Sequence, residues 1–208
     1  MINEQMIAIV LQDFSTLGIV VFAISGALFA AEKRMDILGF ILVGTVTAIG
    51  GGTLRDLLLG VSPVGWVSNP GAIYLAVVAS ILTYFSVGLF RNRDAWILWM
   101  DAIGLSAFAV LGAQVATAAV VPPIIAVVMG VMSATFGGIM RDVLCAEVLT
   151  LMRPEMYITC ALLASFLFVV LDYVGLQSDW AAAVAFAGGL GLRSAAILFK
   201  LTLPKFSY

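Results

Sequence analysis

The sequence predicts an all-α integral membrane protein, and three features support that prediction. First, 63% of the 208 residues are hydrophobic and only 11% are charged, with a mean hydropathy of +1.16. Second, this charged fraction is less than half of the roughly one quarter that is typical of a soluble domain, so almost no chain is left here for a soluble domain. Third, the few charges lie between apolar runs long enough to cross a bilayer as helices. We therefore expect residues 1–208 to form a single transmembrane domain.

Seven membrane spans are expected on the measure of about 20 residues per crossing. Pro70, Pro122 and Pro154 stand where the first turn of a helix tolerates proline. The N-terminus lacks the basic segment of a cleavable signal peptide, so we expect the first apolar run to remain as helix one. The expected spans are 13–31, 37–60, 71–90, 95–117, 122–146, 155–174 and 180–200.

The basic residues predict which face of the membrane each loop occupies. When alternate loops are assigned to alternate faces, the Lys and Arg residues of the loops and of the C-terminal end all fall on one face. By the positive-inside rule this face is cytoplasmic, so the N-terminus lies outside and the C-terminus in the cytoplasm. The residues are Lys33, Arg34, Arg91, Arg93, Arg153, Lys200 and Lys205.

A glycine-rich motif followed by an Arg-Asp pair occurs in both the second and the fifth span. Gly50-Gly51-Gly52 precedes Arg55-Asp56, and 86 positions later Phe136-Gly137-Gly138 precedes Arg141-Asp142. We expect two three-helix repeats, about 13–90 and 95–174, followed by a seventh helix at about 180–200. Because each repeat has an odd number of spans, the second copy should be inverted relative to the first. Other pairs that match at this offset are Gly18 and Gly104, Phe22 and Phe108, Gly26 and Gly112, Gly44 and Gly130, and Thr47 and Ser133.

The glycines of the motif allow two interpretations. Packing on one helix face asks for small residues about four positions apart, whereas a run of glycines favours a backbone that bends or opens. We therefore expect the second and fifth helices to break near the middle of the membrane, at Gly50, Gly51 and Gly52 and at Gly137 and Gly138. The carbonyl and N–H groups freed there could serve a small ion or polar solute. Close helix packing remains the alternative.

Arg55, Asp56, Arg141 and Asp142 follow these glycines inside apolar spans, where ionisable residues are costly. They either clamp the helices to their neighbours by ion pairs or take part directly in a permeation path. A third arginine, Arg193 in the seventh span, is expected to extend to the inner interface or to pair with a helix end.

The arginines are expected to pair with distant carboxylates. Adjacent residues on a helix do not face each other, which argues against pairing within each Arg-Asp dipeptide. Asp13 in the first span is the expected partner of Arg55, and Asp101 in the fourth span is the expected partner of Arg141. A polar stripe of hydroxyls is expected to line the approach to the breaks: Thr47, Thr53, Ser133 and Thr135.

Several functional classes lack support in the composition. The chain has no His, and Cys145 and Cys160 have no partners at metal-ligand spacing, so we expect no metal, no cofactor and no disulfide. No Lys/Arg run is longer than two, which argues against a nucleic-acid surface. No Ser or Cys has a convincing base, so an enzyme is not expected.

The doubled motif, from Gly51 to Asp56 and from Gly137 to Asp142, resembles that of the prokaryotic trimeric intracellular cation channel family, formerly catalogued as an uncharacterised membrane family with a duplicated glycine-rich domain. The resemblance extends over essentially the whole chain. It implies a homotrimer in the lipid bilayer of a bacterial or archaeal plasma membrane. Each protomer would enclose its own pore between kinked second and fifth helices and conduct monovalent cations such as K⁺ and Na⁺. Phe136 stands where the first copy has Gly50, so the second break should be stiffer or act as a hydrophobic gate.

A secondary transporter is the competing function. Inverted repeats with broken helices are the usual architecture of alternating access, and the same group of proteins has been labelled as small amino-acid transporters. The transported solute would be a small one, such as glycine. The sequence alone leaves channel and transporter open.

Overall fold

In the residues that it describes, 4–90, 92–150 and 156–203, the computed structural model contains helices joined by short loops, and the side chains of 4–13 lie outside that description. A short 3₁₀ turn, Val87–Leu89, extends the fourth helix. The α-helices are α1 (Glu4–Glu32), α2 (Ile37–Leu58), α3 (Gly65–Ser68), α4 (Gly71–Ser86), α5 (Arg93–Ala118), α6 (Pro123–Leu144), α7 (Tyr157–Tyr173) and α8 (Ser178–Phe199).

Six of the described helices are long and apolar enough to span a membrane. α7 is apolar but shorter, with 17 residues, which at 1.5 Å per residue is about 26 Å. α3 has only four residues and connects α2 to α4. Local signals set several helix starts: Asp36 caps α2 by accepting a hydrogen bond from Gly39 N at 2.8 Å, and Pro123 opens α6.

α1 and α5 occupy the centre of the bundle. Of the spans that contain them, 61% and 67% are buried, against 22% for the span that contains α4 and 28% for α8. The outer helices α4 and α7 expose large apolar side chains, as expected of surfaces that contact lipid. These side chains include Tyr74, Val78, Leu82 and Phe85 on α4, and Ile158, Leu162 and Phe166 on α7.

The glycine-rich stretches do not break their helices. α2 is helical without interruption from Ile37 to Leu58, and α6 from Pro123 to Leu144. The expected breaks at Gly50-Gly51-Gly52 and Phe136-Gly137-Gly138 are therefore wrong. Arg55 and Arg141 accordingly lie in the last turn of an intact helix, not in the first turn after a break.

Close helix packing explains the two central glycines. A Cβ atom at Gly51 would lie less than 3.0 Å from the Ser133 carbonyl oxygen, and one at Gly137 less than 3.0 Å from the Thr47 carbonyl oxygen. Real Cβ atoms do not approach so closely, so only glycine lets the backbones of α2 and α6 touch. The two contacts are reciprocal, because Gly137 is the repeat equivalent of Gly51 and Ser133 is that of Thr47, each 86 positions later.

The crossing of α1 and α5 repeats this reciprocity. A Cβ atom at Gly18 would lie 2.9 Å from the ring of Phe108, and one at Gly104 would meet the ring of Phe22 even more closely. The two rings stack on each other with their centroids 5.2 Å apart and their planes 16° apart. Each glycine thus leaves room for the phenylalanine of the other helix.

Candidate functional site

Arg141 at the end of α6 is the centre of a buried ion-pair cluster. The residue is 1% exposed. Its Nη1 donates to Asp101 Oδ1 at 2.8 Å and to Ser25 Oγ at 2.9 Å, while Nε and Nη2 donate to Asp142 Oδ1 at 3.0 and 2.8 Å. The guanidinium carbon also lies 4.4 Å from the centroid of the Phe29 ring. Arg141 therefore ties α6 to α1 and α5 with its charge compensated, which a buried arginine requires.

Asp142 connects this cluster to the loop that follows α6. Its Oδ2 accepts hydrogen bonds from Thr150 N at 2.7 Å and from Thr150 Oγ1 at 2.9 Å, and Arg141 Nη2 lies 3.3 Å from the same hydroxyl. One carboxylate thus orients the arginine with one oxygen and holds the loop with the other.

Arg193 of α8 joins the same buried region. It is 1% exposed, and its guanidinium carbon lies 5.4 Å from the centroid of the Tyr157 ring. The expectation that Arg193 extends to the inner interface is therefore wrong. Tyr157, itself 2% exposed, lies between α8 and the second glycine motif, since a Cβ atom at Gly138 would lie 3.0 Å from its hydroxyl.

Arg55 at the end of α2 forms a simpler version of this site. Its Nε and Nη2 donate to Asp56 Oδ1 at 2.9 and 2.7 Å, and Asp56 Oδ2 accepts from Gly65 N at 2.9 Å. The Arg55 side chain is 10% exposed. Its Nη1 is buried without a hydrogen-bond partner among the residues that the structure describes.

The structure confirms one predicted ion pair and contradicts the prediction that each arginine avoids its neighbouring aspartate. The pair between Asp101 and Arg141 is confirmed. The prediction that the arginines avoid their neighbouring aspartates is wrong, since both Arg-Asp dipeptides are ion-paired. The rule that excluded them concerns Cβ directions, but the arginine side chain is long enough to reach the carboxylate of the next residue. The side chain of Asp13, the expected partner of Arg55, lies outside the described part of the chain.

The hydroxyls predicted to form one polar stripe lie in two places, at the crossing of α2 and α6 and beside Trp66 of α3. Thr47, Thr53 and Thr135 each donate to the carbonyl four residues earlier in their own helix, at 2.6, 2.8 and 2.9 Å. Thr47 and Ser133 are fully buried at the crossing of α2 and α6, and Ser133 Oγ has no hydrogen-bond partner among the described residues. Thr53 also accepts a hydrogen bond from Trp66 Nε1 at 2.9 Å.

The outer glycines of the motif have more room than the central ones. A Cβ atom at Gly50 would meet mainly the sulfur of Met140 at 2.6 Å, the end of a flexible side chain, and one at Gly52 would have no neighbour closer than Arg55 Nη2 at 3.8 Å. Phe136, which replaces the first glycine in the second copy, continues α6 with a half-buried side chain.

A cavity of about 550 Å³ lies beside Arg55. Polar groups from α1, α2 and α3 meet there with apolar side chains of α1 and α5. The lining includes Ser15, Thr16, Thr53, Arg55, Trp66 and Leu111.

Sequence reasoning missed four members of the buried cluster: Ser25, Phe29, Thr150 and Tyr157. A serine in the apolar first span is a weak signal that a polar partner is near, and the others carry no sequence signal. Within the described residues, no group of three or more His, Cys, Asp or Glu side chains could hold a metal ion.

Long apolar helices that enclose compensated buried charges define the class of this molecule as a polytopic helical membrane protein. A family model described as "Glycine transporter" matches the chain twice, over residues 13–87 and 98–173. The UPF0126 inner membrane protein YadS of Escherichia coli K12 is 40% identical over 192 residues, which cover 91% of this chain and 93% of that protein.

Solved structures agree with these sequence matches. The trimeric intracellular cation (TRIC) channel orthologue from Rhodobacter sphaeroides is 43% identical, with a TM-score of 0.90 over 92% of this chain and 99% of that one. Another prokaryotic TRIC channel is 32% identical, with a TM-score of 0.88 over 94% and 100% of the two chains. The chain belongs to the prokaryotic trimeric intracellular cation channel family, which is the family that the glycine-transporter model and the UPF0126 proteins also represent.

Proposed function

We propose that this protein is a cation channel that conducts monovalent cations, K⁺ and Na⁺, across a bacterial or archaeal plasma membrane. The likeness to the Rhodobacter sphaeroides channel orthologue carries this proposal, since a TM-score of 0.90 at 43% identity extends over 92% of the chain. That structure is described as an orthologue of the trimeric intracellular cation channel. A homotrimer with one pore per protomer is accordingly the proposed assembly, and native mass measurement in detergent tests it.

The proposed topology is seven spans in two inverted repeats plus a last helix. The two matches of the family model, 13–87 and 98–173, support the repeat because they nearly coincide with the predicted copies. The reciprocal contacts of Gly51 with Ser133 and of Gly137 with Thr47 support it too, since a two-fold relation between repeats produces such pairs. α7 would be one of the seven spans, and its 17 residues would cross the bilayer where it is locally thinner.

The N-terminus is proposed to lie outside and the C-terminus in the cytoplasm. The one-sided distribution of Lys and Arg supports this orientation, although Arg91, Arg153 and Lys205 lie outside the described residues. Reporter fusions at both termini test the orientation. Two termini on the same face would contradict both the span count and the inverted repeat.

The proposed pore runs beside α2 and α6, and its gate lies where these helices cross. Glycines hold the two backbones in contact there, so a small separation of the helices would open a path without breaking either helix. Residues proposed to border the gate are Gly50, Gly51, Gly52, Phe136, Gly137 and Gly138, and those proposed as polar lining are Thr47, Thr53, Ser133 and Thr135. The charge pairs at Arg55 and Arg141 would hold the helix ends in place during the motion.

Ion flux from liposomes tests the channel proposal. Vesicles that contain the purified protein and are loaded with KCl should release K⁺ down its gradient much faster than protein-free vesicles once a protonophore lets H⁺ enter to balance the charge, and Cl⁻ should stay inside. Release of Cl⁻ at the rate of K⁺ would contradict cation selectivity.

A secondary transporter of a small solute such as glycine is the second candidate, because the matching family model bears the description of a glycine transporter. The same vesicles distinguish the two functions. A carrier should accumulate labelled glycine when an ion gradient drives its uptake. A channel should show a K⁺ flux that glycine does not change.

A further inference from the structure

The two Arg-Asp sites differ in how completely the arginine is paired. In both, Nε and Nη2 of the arginine bind the neighbouring aspartate. Nη1 of Arg141 donates to Asp101 and Ser25. Nη1 of Arg55 is buried with no acceptor in the described part of the chain. The two sites therefore differ at Nη1, which binds a second carboxylate, that of Asp101, in Arg141 but not in Arg55.

The repeat shows which described residues stand beside Arg55 at the positions equivalent to Asp101 and Ser25. Asp101 minus 86 positions is Ser15, and Ser25 plus 86 positions is Leu111. The first site thus has a short hydroxyl where the second has a carboxylate, and a leucine where the second has a hydroxyl. Ser15 and Leu111 both line the cavity of about 550 Å³ beside Arg55. That space corresponds by the repeat to the position of the Asp101 side chain.

A carboxylate matches the chemistry of this space. A buried guanidinium N–H without an acceptor is unfavourable, and guanidinium groups bind carboxylates with short, charge-assisted hydrogen bonds. Ser15 and Thr16, two hydroxyl residues, are among those that line the cavity. Its volume lies within the usual range of small-molecule sites, about 300–1,000 Å³.

We propose that the cavity beside Arg55 binds a small carboxylate anion, which occupies on Arg55 Nη1 the place that the Asp101 carboxylate occupies on Arg141 Nη1. Since Arg55 and Asp56 together are neutral, the bound anion gives the cavity a net negative charge. If the proposed channel function holds, this charge favours cations near the end of α2.

Calorimetric titration of the purified protein in detergent tests the binding, with sodium acetate as the probe and sodium chloride as the control salt. Wild-type protein should bind acetate saturably, and its melting temperature should rise by about 3–6 °C at ten times the dissociation constant. No saturable acetate signal would overturn the proposal. Tighter binding of methyl phosphate than of acetate would also overturn it, because the site would then be one for phosphate groups, including those of lipids.

Ser15→Asp is the decisive variant, since it places a carboxylate at the position equivalent to Asp101. It should weaken acetate binding at least tenfold and raise the melting temperature measured without acetate. Ser68→Asp adds the same charge at an exposed position on α3 and should leave acetate binding unchanged. Equal binding by the two variants would contradict the assigned place of the ligand.

Asp13→Asn tests whether the chain supplies its own carboxylate. If wild-type protein fails to bind acetate and Asp13→Asn binds it, Asp13 fills the place and the proposal is wrong. None of these measurements requires an ion current, so their failure is distinguishable from failure of the channel proposal.

Discussion

Replacing Gly51 by alanine should destabilise the protein, whereas the same change at the adjacent Gly52 should not. A Cβ atom at Gly51 would come within 3.0 Å of the Ser133 carbonyl oxygen, which is backbone and cannot rotate away. At Gly52 the nearest atom, Arg55 Nη2, is 3.8 Å from the added Cβ. The pair therefore separates the clash between α2 and α6 from the general effect of alanine on a helix.

The expected magnitude follows from two opposing terms. Overpacking of a tight contact costs about 1–3 kcal/mol, and alanine gains up to about 1 kcal/mol over glycine in helix propensity. Gly52→Ala should therefore be neutral or slightly stabilising. Because the propensity term is common to both variants, Gly51→Ala should be less stable than Gly52→Ala by about 1–3 kcal/mol.

Unfolding by SDS in mixed micelles, followed by circular dichroism, measures this difference. Gly137→Ala is the reciprocal test, since its Cβ would meet the Thr47 carbonyl oxygen, and Gly191→Ala is its control because no atom lies within 4 Å. Equal stabilities of Gly51→Ala and Gly52→Ala would refute the close contact of α2 with α6 at Gly51. They would favour the interpretation that the glycine run makes the backbone flexible.

Two further predictions concern the buried cluster and the thiol beside it. Asp101→Ala should cost roughly 1–3 kcal/mol of unfolding free energy, because Arg141 Nη1 loses its carboxylate acceptor while Asp142 still compensates the charge. A double-mutant cycle with Arg141→Ala should show coupling above about 0.5 kcal/mol, so additivity within that limit contradicts the pair. Burial raises the pKa of the Cys145 thiol above its usual value, so in a Cys160→Ala background its alkylation by N-ethylmaleimide should be slow at pH 7, increase with pH, and become fast after unfolding in SDS. Fast alkylation of the folded protein at pH 7 would contradict the burial of Cys145.

Hydropathy predicted the helices well because long apolar runs have few alternatives in a bilayer. α2 begins at Ile37 as expected, and the expected spans 71–90 and 155–174 lie within a few residues of the observed apolar helices. Proline and charged residues marked these limits, and they act locally. α3, in contrast, has no periodic pattern in its four residues, so nothing in the sequence indicated it.

The glycine motif was located correctly but interpreted wrongly in its local structure. A run of glycines permits both a bend and a close approach, and the sequence does not say which neighbour comes near. The choice depends on the backbone of Ser133 facing Gly51, which is a tertiary contact between residues 82 positions apart. Helix propensity alone therefore could not decide between the two interpretations.

The ion pairs show the same division between local and tertiary information. Asp101 was predicted as the partner of Arg141 because both were placed near the same end of neighbouring spans, and the structure confirms the pair. The pairing of Arg55 with Asp56 depends on the conformation of a long side chain at a helix end. Spacing along a helix carries no information on that conformation.

Single-channel recording in a planar bilayer tests the channel proposal most directly. Purified protein in asymmetric KCl should give discrete unitary currents whose reversal potential lies close to the equilibrium potential of K⁺. Glycine on either side should leave the reversal potential unchanged. Absence of unitary currents together with glycine uptake coupled to an ion gradient, or a reversal potential near that of Cl⁻, would contradict the assignment of this protein as a cation channel.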